Sequence, residues 1–204
     1  MKTTEGLDDG QPFRLAKCAV SCETSPEQQE ALRGAMTQRN VSLHELSNDL
    51  PQLVIFLRHL GCVFCRETLL DIARLRKSIE LEGAGIVLVH MSEEPRAREI
   101  FAEYGLGDIS YVTDTDQKMY EAFQLRKGRL REILGPRVLG RLVMGLFRGY
   151  GFGEVMGDYY QMPGVFLIHQ GRILQDFRHR HAAERPNYVE LAEYPVSIQE
   201  RIEG

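Results

Sequence analysis

The sequence predicts an α/β fold, and three observations carry that prediction. Two near-continuous apolar runs, "LVIFLRH" (53–59) and "GIVLVHMS" (85–92), read as strands covered on both faces. Segments of helical period separate and follow them, which is the alternation of an α/β chain. A Gln170-Gly171 pair between two further apolar runs marks a closing hairpin.

The elements follow in order. Residues 1–12 are polar and read as a loose tail. "FRLAKCAVSC" (13–22) suits either a short strand or part of a helix. "SPEQQEALRGAM" (25–36) reads as a helix, with Ser25 as cap, Pro26 at the first helical position and Glu27 in the first turn. "SLHELSNDLP" (42–51) is a short capped turn or helix. The first strand lies between Pro51 and Gly61, and a helix begins at or near Cys62. Leu69, Ile72, Ala73, Leu75 and Ile79 give that helix an apolar stripe, and Gly83 and Gly85 end it. After the second strand, "SEEPRAREIFAEYGLG" (92–107) is a helix capped by Ser92 and stopped by Gly105. "YVTD" (111–114) is a short strand. "DQKMYEAFQL" (116–125) is a helix with Tyr120 and Phe123 inward. Residues 126–161 are rich in arginine and glycine around the apolar "VLGRLVMGLF", and form an insertion. "GVFLIHQGRILQDFRHR" (164–180) supplies two strands, and "ERPNYVELAEY" (184–194) a closing helix opened by Pro186. The expected organisation is residues 1–41 as a tail and helix, part of or packed on the domain, and residues 42–204 as the domain itself.

Composition narrows the function classes. The chain has 204 residues, which suits one domain. With 43% hydrophobic and 26% charged residues a sizeable core is expected and global disorder is not. A net charge of -4 and a pI of about 5.9 argue against a nucleic-acid partner. No apolar run approaches the roughly 20 residues of a membrane span, so a membrane role is not expected. "MKTTEGLDDGQPF" has no apolar core, so no secretory leader is expected and the cytoplasm is the default compartment. There, four cysteines are more often catalytic, metal-binding or buried than cross-linked.

Cys62 and Cys65 sit where an apolar strand ends and a helix begins. Unpaired amides at a helix start favour an anion and can lower a cysteine pKa from about 8.5 to as low as about 3.5. A spacing of three puts both sulfurs on one face of the first turn. Arg58 and Arg66 flank the pair and add positive potential. Three readings compete: a redox couple, two buried thiols, and a four-cysteine zinc site shared with Cys18 and Cys22. The 39 residues between Cys22 and Cys62 are long for a compact zinc ribbon. The strand-to-helix setting favours the redox couple.

"LVIFLRHLGCVFCRETLLDIARLR", "GIVLVHMSEE", "VTDTDQKMYEAFQL" and "QMPGVFLIHQGRILQDFRHRHAAERPNYVEL" resemble the alkyl hydroperoxide reductase/thiol-specific antioxidant branch of the thioredoxin-like fold. Within it the likeness is to peroxiredoxin-like proteins of the peroxiredoxin-like 2 and selenoprotein L types, over about residues 42–193. The resemblance implies a three-layer sandwich around a central mixed sheet, with an N-terminal extension and an insertion before the Pro163 strand. It implies a thiol-dependent oxidoreductase acting on a peroxide or disulfide, re-reduced by a thioredoxin or glutathione system, without an organic cofactor; a homodimer is allowed. It also implies that Pro163 is cis and faces the cysteine pair, shaping a docking groove. The peroxiredoxin motif P-x-x-x-T-x-x-C is absent. Counted back from Cys62, its Thr and Pro places hold His59 and Ile55; from Cys65, they hold Cys62 and Arg58. The second register makes Cys65 the attacking thiol, and a thioredoxin-like reading makes it Cys62 with Cys65 resolving. Exposure at the helix start favours Cys62. The different-class alternative is a non-catalytic thioredoxin-like module that binds a partner.

Other candidates are weaker. Cys18 and Cys22 suit a second redox pair or no role at all. His59 either tunes the thiolate or ends the strand. His90 and His169 lie in apolar strands as core-edge residues. His179 and His181 alternate on a strand with no third metal ligand in view. Arg178 is placed to reach an anionic substrate. Arg137, Arg141 and Arg148 edge the insertion's apolar segment, which suits a packed helix, an active-site cover, a dimer contact or a membrane surface.

Overall fold

The structure, a computed structural model, describes residues 24–129 and 158–193. Five strands form one mixed sheet in the order β3-β2-β1-β4-β5. They are β1 (Gln52–Phe56), β2 (Gly85–His90), β3 (Ser110–Thr113), β4 (Gly164–His169) and β5 (Arg172–Arg178). β1 is central. It runs parallel to β2 and antiparallel to β4, pairing Ile55 with Leu88 on one side and with Val165 on the other. β2 and β3 are parallel, and β4 and β5 form the hairpin.

Strand alternation divides the core in two. Leu53, Ile55, Leu88, Tyr111 and Leu167 face one side, with the helices α3 (Val63–Leu81), α4 (Glu94–Glu103) and α6 (Tyr188–Ala192). Val54, Phe56, Val87, Val89 and Phe166 face the other, with α1 (Pro26–Gly34), α2 (Leu43–Asp49) and α5 (Lys118–Ala122). The result is the three-layer α/β/α sandwich. The apolar runs are unbroken because both faces of β1 and β2 are covered.

Local chemistry places most boundaries as anticipated. Ser25 and Ser42 each head a capping box, with Gln28 and Glu45 returning the bond to the cap amide. Gln170 (φ 49°) and Gly171 (φ 69°) both adopt positive φ, as a two-residue hairpin turn demands. Three expectations need correction. The cap of α4 is Glu93 and not Ser92, because Pro95 fixes the first turn one residue later. The closing helix is capped by Asn187, whose side chain accepts the Glu190 amide, so Pro186 lies outside it. β1 ends at Phe56, three residues short of the predicted run, and Leu57–Leu60 turn toward the helix. Cys18, Cys22 and the apolar centre of the insertion lie outside the described residues.

Candidate active site

The end of β1 and the start of α3 build the site. Cys62 is the N-cap of α3, with extended backbone (φ -78°, ψ 134°), and its amide donates to the His59 carbonyl at 3.0 Å. Cys65 follows in the first turn. Cys62 is 9% exposed and Cys65 4%, so both thiols are buried just inside the surface, Cys62 less deeply than Cys65.

The two thiols are driven apart. Cys62 is held down to about 6, first by the hydrogen bond from Cys65, then by the Arg58 charge and the amides of Phe64 and Cys65, against the opposing effect of burial. Cys65 is pushed up by that same hydrogen bond, by burial and by the neighbouring anion. The arrangement is one thiolate and one thiol that donates to it.

Arg58 is buried, and each guanidinium nitrogen has work. Nη1 reaches Cys62 Sγ at 3.5 Å, Nε donates to the Gln161 carbonyl at 3.1 Å, and Nη2 donates to the Tyr159 carbonyl. A buried cation of this kind is tolerated only with partners, and here they are two carbonyls and a sulfur anion. Among the described residues Arg66 makes no hydrogen bond to either sulfur; of the two flanking arginines, Arg58 reaches the pair. His59 is buried, its ring packs on Tyr159 with centroids 4.5 Å apart, and burial with the Arg58 charge lowers it to about 4. It is neutral at physiological pH.

Pro163 lies near Cys65. It shares a cavity of about 20 Å³, room for roughly one water, with Cys65, Arg58, Thr68, His179 and Tyr188. The described residues contain no cis peptide bond, so the Met162–Pro163 bond is trans, correcting the expectation; trans is the lower-energy X–Pro state by about 0.5–1 kcal/mol. Gly164 follows because a Cβ there would meet Leu125 Cδ2 at 2.6 Å.

The remaining candidates fall elsewhere. His179 and His181 lie in the loop after β5, not on a strand. His179 Nδ1 bonds the Pro163 carbonyl, and His181 faces Glu184. Arg178 pairs with Asp176 and covers the Phe166 ring, on the opposite face of the sheet from Cys65. The described residues hold no cluster of three or more metal-ligating side chains, although Cys18 and Cys22 fall outside them. No described helix is long and apolar enough to cross a membrane. Tyr159 and Gln161 escaped the sequence reading because they act through backbone carbonyls, which no residue type announces.

Comparison with solved structures decides the fold. Peroxiredoxin Q of Xanthomonas campestris superposes with a TM-score of 0.52 at 16% identity, covering 85% of this chain and 92% of its own. The peroxidoxin BcpB of Mycobacterium tuberculosis gives 0.54 at 13% identity, covering 78% and 87%. The chain has a thioredoxin-like fold. In this thioredoxin-like chain, Cys62 and Cys65 occupy the junction of the central strand and the longest described helix. Sequence relatives include the prostamide/prostaglandin F synthases of Salmo salar, 26% identical over 67% of this chain and 69% of the relative, and of Danio rerio, 24% identical over 78% and 81%. No family model matches the chain.

Proposed function

We propose that the protein is a thiol-dependent oxidoreductase that reduces peroxides or disulfides through a Cys62–Cys65 redox couple. The observation that carries this reading is the placement of the two sulfurs: Cys62 caps α3 with Arg58 Nη1 3.5 Å from its Sγ, and Cys65 stands beside it in the first turn, a setting that holds the Cys62 thiol down and pushes Cys65 up. With a peroxide, the Cys62 thiolate attacks one oxygen and the O–O bond breaks. Cys62 becomes a sulfenic acid, and the other oxygen leaves as an alkoxide that takes a proton. Cys65 then gives up its proton and attacks the Cys62 sulfur, releasing water and closing the disulfide. An external dithiol, or two glutathiones, returns two electrons and two protons and leaves as a disulfide. With a disulfide substrate, the first step is a mixed disulfide and Cys65 resolves it in the same way.

Arg58 holds the thiolate, and Pro163 borders the approach to Cys65. The name of the sequence relatives adds a prostamide or prostaglandin to the substrates worth offering. A reducing compartment such as the cytoplasm supplies the thioredoxin or glutathione system this cycle requires.

Separate Cys62→Ser and Cys65→Ser variants, assayed for peroxide consumption and insulin reduction, test the reading. Cys62→Ser should abolish both activities. Cys65→Ser should stop turnover while leaving a Cys62 sulfenate that dimedone traps. If both variants keep wild-type rates, the catalytic reading fails and the partner-binding module takes its place.

A further inference from the structure

Residues 126–128 and 158–162 are zipped together as a short stem beside the site. Lys127 and Gln161 form an antiparallel bridge. The Gly128 amide donates to the Tyr160 carbonyl at 2.6 Å and the Met162 amide to the Arg126 carbonyl at 3.1 Å. Lys127 Nζ and Asp158 Oδ2 close the outer side at 2.7 Å. The inner side is closed by one buried side chain. Gln161 Nε2 donates to the Leu125 carbonyl at 2.8 Å and to the Met162 carbonyl at 3.2 Å. The 158–162 side of the stem carries the two carbonyls that bind Arg58.

We propose that Gln161 is a positioning residue for the redox pair: its side-chain amide locks the stem, and the locked stem presents the Tyr159 and Gln161 carbonyls that hold the Arg58 guanidinium against Cys62 Sγ. The logic is one of orientation. A guanidinium buried beside a sulfur has several rotamers, and only partners on its far side fix Nη1 toward the anion. Those partners are backbone atoms of a segment that would otherwise end in an insertion. The amide of Gln161 replaces strand pairing at the one place where the stem is only a single bridge long. Sequence separation from Cys62 is about a hundred residues, so the device is invisible without the fold.

The inference rests on Cys62 being the reactive thiolate, and the test separates the two ideas. Alkylation of Cys62 by iodoacetamide is followed against pH by site-resolved mass spectrometry. The variants are Gln161→Met, Arg58→Met and the double variant. Wild type should titrate well below an ordinary thiol. Gln161→Met keeps the side-chain volume and loses the amide, and its midpoint should rise by about one pH unit, as for a cation displaced from a neighbouring anion. Arg58→Met should rise at least as far, and the double variant no further than Arg58→Met, since Gln161 acts through Arg58. Should Gln161→Met not fold, Gln161→Asn, too short to reach the Leu125 carbonyl, is read in the same way. A wild-type midpoint retained in the Gln161 variants, or a shift that adds to that of Arg58→Met, overturns the proposal while leaving the redox couple standing. An ordinary thiol midpoint in wild type overturns both.

Discussion

Cys62 and Cys65 are one residue type a single helical turn apart, yet their surroundings drive them in opposite directions. Cys62 takes the hydrogen bond donated by its neighbour, the Arg58 charge and the amides at the cap, which together outweigh its burial; Cys65 gives that hydrogen bond and is buried deeper beside the anion. Reactivity of Cys62 should therefore be lost as pH falls through about 6, while Cys65 stays unreactive at neutral pH; stopped-flow peroxide or alkylation rates from pH 4.5 to 9 check this. His90 makes a second pH statement at this scale. It is fully buried at the end of β2, with Thr113 Oγ1 3.2 Å from Nε2, and burial lowers it from 6.5 to about 4 against the pull of Glu94. Its folded-state pKa lies below the unfolded one, so the unfolded chain binds the extra proton between those values. Stability then falls as pH drops from 6.5 toward 4, by about 2 kcal/mol at pH 5 from this ring alone. Urea midpoints at pH 7 and pH 5 should show a smaller acid loss in His90→Leu than in wild type. The cysteine pair was legible from spacing and position. The choice of Arg58 over Arg66 was not, because it depends on which side chain finds partners on its far side.

Each secondary-structure element shows how far local chemistry reaches. The boxes at Ser25 and Ser42 involve residues three apart, so reading the sequence found both helix starts. The short α5 depends on something less local. Its backbone enters through Gln117 at φ 61°, and its free amides are met by Asp114, whose carboxylate accepts from Lys118 at 3.0 Å, Met119 at 2.8 Å and Tyr120 at 3.3 Å. Asp114→Ala leaves three donors without that acceptor and should cost about 1–2 kcal/mol. In a chain of this size that is a fall in Tm of several degrees, measurable by calorimetry. Tyr120, on the same helix, donates its hydroxyl to the Leu57 carbonyl at 2.6 Å, just before Arg58. Tyr120→Phe should cost about 1 kcal/mol by removing that bond. It should also loosen the turn that carries Arg58, detectable as faster amide exchange at Leu57–His59.

Across the whole molecule, stability concentrates in the sheet's two covered faces. Phe56 contacts the Tyr120, Phe123 and Phe166 rings at 5.1, 5.1 and 5.5 Å, joining β1 and β4 to α5. Phe56→Ala should lose about 3–5 kcal/mol by leaving a cavity in that aromatic cluster, which urea denaturation would show. The layering itself was legible in the chain, since unbroken apolar runs require cover on both faces. So were the central strand, the hairpin turn and the cysteine pair at a helix start, because each rests on residues within a few positions of one another. Tertiary structure alone decided what surrounds the pair. It brought carbonyls from about a hundred residues away onto Arg58, set Pro163 beside Cys65 in a trans peptide, and moved Arg178 to the opposite face. Those outcomes depend on backbone atoms and on contacts between distant segments, and neither leaves a signature in residue type or spacing.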